Sequence, residues 1–353
     1  MFHHCTHHCL TDLKTKGLGI CLFLGLFLLV AVGAAYGDEA SKVVPATYIK
    51  DLSLPGFENS FKLSSRILFD DNAQETFVVD KGNSRIVLFD SLQTFRFEFY
   101  SQDIYNQPLD MAVDNDGYMY VLGSTANGKQ IFKYDFDGVF IKEIEVEGYS
   151  ETQSSIVNIC ADQYNNLYLL DEYSQKIIKL NENGQVIKII SIFANKEIKG
   201  LPEEAIFGTM SIQSDFIFLP VSTFGRVLVY DLDGNYIKKI GRAGVLPGEL
   251  TFPTAVAVSE DGLIYILDKR RFNVVCYTFG DSFLGEFGGL GFRDGWFYFP
   301  TTISVDKSNN VYIGQVYNNR IQVCATPEFI LKDFEVKSEM FSDFKIDVIE
   351  GTK

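Results

Sequence analysis

Histidine is almost missing from this chain of 353 residues. All four histidines lie within the first eight positions, as two pairs that are each followed by a cysteine, Cys5 or Cys9. Residues 9–353 therefore have no histidine for a Ser–His pair, and no G-x-S-x-G motif occurs. The segment HHCTHHC could chelate a transition metal, but it precedes an export signal, and we interpret it as part of a discarded leader or of an upstream stretch.

Cysteine and positive charge are also scarce. After residue 37 the cysteines are Cys160, Cys276 and Cys324, each in an apolar, strand-like context. An odd number at unrelated positions gives no disulfide framework, so we expect small core residues. The chain has 31 basic and 46 acidic residues, a net charge of −15. Such a surface repels phosphate backbones, so we expect no nucleic-acid partner.

The first 37 residues differ in composition from the rest. Lys14 and Lys16 precede an uncharged apolar run over residues 17–35, and Ala35-Tyr36-Gly37 is similar to the A-x-A site of signal peptidase. We predict a hydrophobic N-terminal helix that is a signal peptide cleaved after Gly37, with an uncleaved membrane anchor as the alternative. Either way we expect an exported protein, whether periplasmic, surface-bound or secreted, that meets the membrane only through this segment.

One pattern recurs six times in the remaining sequence. An apolar strand ends in a polar residue, an Asn/Asp/Gly turn follows, and a second strand with a central aromatic residue precedes a third strand similar to Arg-Ile-x-Val. The central aromatic residues are Phe77, Tyr120, Tyr168, Phe218, Tyr265 and Tyr312, at spacings of 43, 48, 50, 47 and 47 residues. Periods of this length indicate propeller blades or helical arrays, and strand-rich copies favour blades.

The clearest copies resemble the NHL repeat, P-x-G-I-A-V-D…G-x-I-Y-V-x-D…N-x-R-I-x-V-F. One reads FPTAVAVSEDGLIYILDKRRFNVVCYTFGDSFLGEFG over residues 252–288, and another reads FPTTISVDKSNNVYIGQVYNNRIQVC over residues 299–324. The resemblance covers about residues 48–330 and implies an all-β, six-bladed β-propeller with four-stranded antiparallel blades, of a bacterial, extracytoplasmic type. We place the propeller at residues 38–336 and a C-terminal tail at 337–353.

Closure of the ring can be predicted from a repeated phrase. YIKDLSLPG at residues 48–56 repeats YIKKIGRAG at residues 236–244, which reads as an outer strand. We therefore predict that residues 48–54 form the outer strand of the sixth blade. FILKDFEV, from Phe329 to Val336, is a competing candidate for the same place.

Several repeated polar residues are interpreted as architectural. The Asp-rich turns that begin at Asp114, Asp135 and Asp231 lack the twelfth-position Glu of a calcium loop and are predicted to be hairpin turns. A second set recurs in the blades and is expected to pair with strand-end carboxylates such as Asp80. Its members are Arg85, Arg226, Arg320, Asn83, Asn273 and Asn319.

Two sets of residues are candidates for binding. The repeat alignment places one set where the inner strands enter the central channel, as a polar ring that either binds a small ligand or lines a water-filled channel: Arg66, Asp110, Asn158, Thr209, Ala255 and Thr302. The second set lies in loops between second and third strands, where exposed aromatic and arginine side chains suit a partner surface: Tyr173, Phe224, Arg270, Arg271, Phe272 and Tyr317.

Enzymatic propeller families set limits on the function. Peptidyl-hydroxyglycine lyases and streptogramin lyases rely on histidines, which residues 9–353 lack. Gluconolactonase-like propellers hold calcium with Glu, Asn and Asp, and here Asp110 and Asn158 could be ligands, although the ring has no Glu.

We expect a binding or scaffold propeller without a cofactor that recognises a protein, peptide or glycan in the cell envelope. A calcium-dependent hydrolase or lactonase is the alternative, and a purely structural spacer on a membrane anchor is a third possibility.

Overall fold

The structure is a computed structural model, and it describes residues 44–339 except 57–59, 101–103, 152, 196–197 and 199–204. The predicted N-terminal helix and its cleavage site lie outside the described residues, as does the tail beyond residue 339. Among the helices of the described part, none is long and apolar enough to cross a membrane.

Six four-stranded antiparallel sheets form the described chain, which confirms the predicted all-β, six-bladed propeller. The first blade contains β2 (Ser64–Asp70), β3 (Glu75–Asp80), β4 (Arg85–Phe89) and β5 (Phe95–Tyr100). The second contains β6 (Gln107–Val113), β7 (Met119–Thr125), β8 (Gly128–Tyr134) and β9 (Phe140–Ile144). The third contains β10 (Ile156–Ala161), β11 (Leu167–Asp171), β12 (Lys176–Leu180) and β13 (Val186–Ser191).

The other three blades follow the same order from inner to outer strand. The fourth contains β14 (Ser211–Gln213), β15 (Phe216–Val221), β16 (Arg226–Asp231) and β17 (Tyr236–Ile240). A short parallel pair, β18 (Arg242–Ala243) and β19 (Glu249–Leu250), leads to the fifth, which contains β20 (Pro253–Val258), β21 (Ile264–Asp268), β22 (Asn273–Tyr277) and β23 (Phe283–Gly288). The sixth contains β24 (Pro300–Val305), β25 (Asn310–Gln315) and β26 (Arg320–Ala325).

The N-terminal strand closes the ring. β1 (Thr47–Asp51) pairs antiparallel with β26 and is the outer strand of the sixth blade, as predicted. Arg320 on β26 donates from Nε to both carboxylate oxygens of Asp51 at 2.8 Å. This ion pair and the strand hydrogen bonds join the two ends of the propeller sequence.

The competing candidate for the closing strand was wrong. Residues 329–336 belong to a helix, α1 (Glu328–Glu339), that packs against β23. Ile330 and Phe334, one helical turn apart, are both buried in the core cluster shared by the fifth and sixth blades. This i, i+4 apolar pair fits a helical period, so the segment buries its apolar side chains as a helix beside the fifth blade.

The hydrophobic core lies between neighbouring blades. One cluster joins residues of the fourth and fifth blades, such as Val227 and Ile264, and another joins the second and third, such as Tyr120 and Leu169. The central aromatic residues of all six second strands are buried there. No blade covers both of its own faces, so each depends on its neighbours.

The prediction of hairpin turns is confirmed, and Arg85 and Arg320, but not Arg226, pair with carboxylates within the described residues. Asp114 Oδ1 accepts the backbone N–H groups of the residues two and four positions later in its hairpin, and Asp135 and Asp231 do the same in theirs. Arg85 Nε donates to Asp80 Oδ2 at 2.7 Å. The three cysteines predicted to lie in the core are buried, and none of them forms a disulfide.

Ile330→Ala tests whether α1 is an integral part of the fifth-blade core. Because Ile330 is fully buried, we expect the free energy of unfolding to fall by about 2–5 kcal/mol in urea titrations. Val336→Ala, on the exposed side of the same helix, is the control and should change stability by less than about 0.5 kcal/mol. Equal effects of the two substitutions would show that the helix does not pack as described.

Candidate functional site

The six ring residues occupy equivalent places in their blades. In five blades the pairing between the inner and second strands shifts register immediately before the ring residue. In the fourth blade Thr209 precedes β14 and forms a parallel bridge with Ala255 of the fifth. The ring therefore lies near the start of each inner strand, on the side of the propeller that also carries the second-to-third strand loops and the connections between blades. We call this side the loop face.

Three ring side chains bind the backbone of the next blade. Thr302 Oγ1 accepts the N–H of Ile67 at 3.0 Å, across the junction of the sixth and first blades. Asp110 Oδ2 accepts the N–H of Ile159 at 2.8 Å, from the second blade to the third.

The third bond of this kind runs from the third blade to the fourth, where Asn158 Oδ1 accepts the N–H of Met210 at 3.0 Å. In each case the donor is the residue that directly follows the ring position. The predicted ligand-binding residues Thr302, Asp110 and Asn158 thus each accept one backbone hydrogen bond between blades, whereas Asp110 Oδ1 is buried and accepts none from the described residues. The Thr209 amide donates to the carbonyl of Thr254 in the fifth blade.

Arg66 completes a buried polar group that we call the axial cluster: Arg66, Asp110, Asn158 and Cys160. Arg66 Nη1 donates to the carbonyl of Met210 at 3.1 Å, and its Nε lies 3.7 Å from Asp110 Oδ1, beyond hydrogen-bond distance. Burial raises the pKa of Asp110, although the Arg66 guanidinium opposes that rise. Two opposite charges buried together near the axis tie the first blade to the second and fourth.

The cysteine of the cluster is not an activated nucleophile. Burial raises the pKa of the Cys160 thiol to about 11, so the thiol remains protonated at neutral pH. Its Sγ donates to the carbonyl of Met210 at 3.3 Å. Cys160 therefore serves as a small buried donor, consistent with the core role expected from the sequence.

The axial cluster does not fit a calcium ion. Asp110 Oδ2 already accepts the N–H of Ile159 and the side-chain amide of Asn158, and the Arg66 guanidinium stands beside it. Calcium prefers six to eight oxygen ligands, and a neighbouring cation repels it. The part of the chain that the structure describes also contains no group of three or more acidic, histidine or cysteine residues arranged to hold a metal.

A small cavity on the axis lies beside this cluster. It has a volume of about 110 Å³ and is lined by the inner strands of all six blades, with Arg66, Asp71, Cys160 and Ser304 among the polar side chains. Small-molecule sites commonly occupy roughly 300–1,000 Å³. The cavity suits a few water molecules or a very small solute better than an organic ligand.

The loop face of the fifth and sixth blades carries a continuous aromatic group. Phe299 lies edge-on to Phe272 and Tyr317, with ring centroids 5.4 and 4.8 Å apart. Tyr298 extends the group to Phe292 at 4.1 Å and also contacts Tyr317 at 6.0 Å. Tyr317 is 68% exposed and Phe292 is 64% exposed. We call these five residues the aromatic face.

The sequence had identified only two members of this group. Phe272 and Tyr317 were predicted to bind a partner, whereas Phe292, Tyr298 and Phe299 lie in the connection between the fifth and sixth blades. Its sequence GLGFRDGWFYF is rich in aromatic residues, and that composition is the signal that would have revealed it.

The other predicted loop residues are distributed differently. Tyr173 is exposed on the third blade, and Phe224 on the fourth packs against Phe193. Arg271 donates to the carbonyl of Glu249 and pairs with Glu286 at 2.7 Å, so it is a structural residue. Arg270 is exposed, with its guanidinium carbon 4.7 Å from the centroid of the Phe252 ring.

Buried carboxylates hold the second-to-third strand loops in place. Asp268 accepts the backbone N–H groups of Arg270 and Arg271 with Oδ1, and that of Thr251 with Oδ2. Asp171 plays the same part in the third blade, where it accepts the Tyr149 hydroxyl at 2.6 Å. Burial opposes ionisation of Asp171, but its hydrogen bonds outweigh burial and lower its pKa. The candidate binding residues of these two loops are therefore held in place by hydrogen bonds from the loop backbone to buried carboxylates.

Comparison with known proteins supports the architecture. A family model described as a 6-bladed beta-propeller matches residues 206–288. The chain is a six-bladed β-propeller. The repeat type is left undecided by this match, so the NHL resemblance stays a prediction. No curated protein matches the chain.

Solved structures resemble the chain in fold. A protein of unknown function from Bacteroides thetaiotaomicron has a TM-score of 0.59 at 16% identity, over 80% of this chain and 75% of that one. A streptogramin B lyase gives 0.54 at 11% identity, over 80% and 99%. A virginiamycin B lyase from Staphylococcus aureus gives 0.51 at 12% identity, over 78% and 88%. At these identities the likeness concerns the fold alone.

Thr302→Val tests the bonds between blades. The substitution keeps the side-chain shape but removes the acceptor of the Ile67 N–H, which would stay buried without a partner. We expect a loss of about 1–3 kcal/mol in the free energy of unfolding. Thr254→Val is the matched control, because the only described hydrogen bond of Thr254 between blades uses its backbone carbonyl. A change of similar size in both variants would contradict the structural role of Thr302.

Asp171→Asn should lower stability in a pH-dependent way. The folded pKa of Asp171 lies below its ordinary value near 4, so its charged form stabilises the fold above that value, and this contribution disappears as the pH falls. We expect a deficit of about 1–3 kcal/mol at pH 7 that narrows between pH 5 and pH 3 in urea titrations. Asp137→Asn, at an exposed turn, should leave the curve unchanged within about 0.5 kcal/mol. A deficit independent of pH would disprove the assigned role.

Proposed function

We propose that this chain is an exported binding propeller that recognises a protein, peptide or glycan of the cell envelope through the loop face of its fifth and sixth blades. The observation that carries the proposal is the aromatic face. Phe292 and Tyr317 expose most of their ring surface, yet both belong to a packed set of rings. Aromatic residues are more frequent in protein interfaces than on the rest of the protein surface, and large exposed apolar patches mark interaction sites.

The rigidity of the aromatic face favours binding. Phe299 contacts three other aromatic rings, and the backbone N–H of Tyr298 donates to Gln315 at 2.7 Å. Because the rings are already ordered, a partner would lose little side-chain entropy when it covers them. Central aromatic residues in fixed positions also contribute most of the affinity in many interfaces.

The rest of the molecule supports a binding role over catalysis. Asp110 Oδ2 and Asn158 Oδ1 of the axial cluster accept hydrogen bonds from the next blade, its cysteine is protonated, and residues 9–353 contain no histidine. A calcium-dependent hydrolase is disfavoured because the two candidate ligands, Asp110 and Asn158, are hydrogen-bonded to each other beside the Arg66 guanidinium. The proposed export rests on Lys14, Lys16 and the apolar run over residues 17–35.

Site-specific photo-crosslinking tests this proposal. A photoreactive phenylalanine analogue placed at Tyr317 of the full chain, in the cells that produce it, should give a discrete crosslinked species. Tyr164 is the matched control, since it is 64% exposed but lies in a turn on the side of the ring opposite the loop face. The absence of a species specific to Tyr317, or equal products at both positions, would refute binding through the aromatic face.

A further inference from the structure

The aromatic face continues into a wider apolar surface. The N–H of Gly289 donates to the carbonyl of Phe272 at 2.8 Å, which places the exposed Leu290 beside the rings. Arg271 links the same loop to the connection between the fourth and fifth blades through its bond to Glu249. That connection exposes Val245 by 75% and Leu246 by 60%. Aliphatic and aromatic side chains from four neighbouring loops therefore form one surface.

The charges around this surface are unevenly paired. Its carboxylates are engaged: Glu286 pairs with Arg271, Glu249 with Arg242, and Asp294 with Arg320. Two exposed arginines are left over. Within the described residues Arg270 and Arg293 have no carboxylate within 4 Å. The apolar surface is thus flanked by two available guanidinium groups, although the chain as a whole carries a charge of −15.

We infer that the occupant of this surface is a peptide segment of a partner protein that combines apolar side chains with Asp or Glu residues. The apolar side chains would cover the rings and Leu246, while the carboxylates would pair with Arg270 and Arg293, which suit bidentate hydrogen bonds. This inference rests on the proposed binding function and specifies its partner.

The charges on the rest of the loop face favour a short peptide segment as the occupant and disfavour an anionic membrane. Glu151 is exposed in the connection between the second and third blades, and Glu172 lies in the second-to-third strand loop of the third blade, both on the loop face. A flat anionic bilayer across the whole face would meet these carboxylates as well as the arginines. A short segment would meet only the local charges, because ionic screening at physiological salt acts over about 8 Å.

Selection from a phage-displayed library of random dodecapeptides tests the inference. The full chain is the bait, and we expect enriched clones that contain both apolar residues and Asp or Glu. Their binding should fall at least about tenfold in an Arg270→Glu/Arg293→Glu variant and should also weaken with added salt. A Lys142→Glu/Lys188→Glu variant makes the same change in charge on exposed residues of β9 and β13, and it should bind normally.

Two further variants separate failure of this inference from failure of the proposed function. Clones that lose binding in Tyr317→Ala and Phe292→Ala, but are neutral or basic and unaffected by the arginine changes, would overturn the acidic partner and leave the binding face intact. Clones unaffected by all four substitutions, or no enrichment, would overturn both. Flotation with vesicles rich in anionic lipid, lost in the arginine variant, would replace the peptide with a membrane surface and overturn the inference.

Discussion

The structure depends on the requirement that every blade bury both of its faces against neighbours. A four-stranded sheet has no second layer of its own, so the hydrophobic clusters lie between blades and the ring has to close. Closure is made by β1, which completes the sixth blade beside β26 and is fixed by the Arg320–Asp51 ion pair. Loss of that strand would leave the edge of β26 unpaired.

Closure also explains the polar axis. Inner strands of adjacent blades belong to separate sheets, and their first backbone N–H groups need acceptors. Thr302, Asp110 and Asn158 supply these acceptors at three junctions. Ala255, the ring residue of the fifth blade, has no polar side chain. At the junction of the fourth and fifth blades the blades are joined by a backbone hydrogen bond from the N–H of Thr209 to the carbonyl of Thr254. The ring side chains therefore chiefly join blades, and the recognition surface that we propose lies in the loops.

The sequence predicted what its repeats encode. Six copies of one pattern determine the blades, and the phrase at residues 48–54 predicted the closing strand because it matched an outer strand elsewhere. The segment from Phe329 to Val336 carries similar residue types, and only burial of the Ile330–Phe334 pair distinguishes a helix from a strand. The bonds made by ring residues depend on register shifts in the inner strands. The repeat marks three of these shifts with a proline, at Pro108, Pro253 and Pro300, but it does not indicate which N–H group each ring side chain accepts. Phe292 and Tyr298 were missed because they lie outside the repeat.

The central claim is that the axial side chains join the blades and leave recognition to the loop face. Native-state hydrogen exchange read by mass spectrometry tests it most directly, through the amides of Ile67, Ile159 and Met210. We expect these three amides to exchange only with global unfolding, because each is bonded to a buried side chain of the neighbouring blade. Rapid exchange of these amides in the folded protein, at rates like those of the exposed turns, would contradict it.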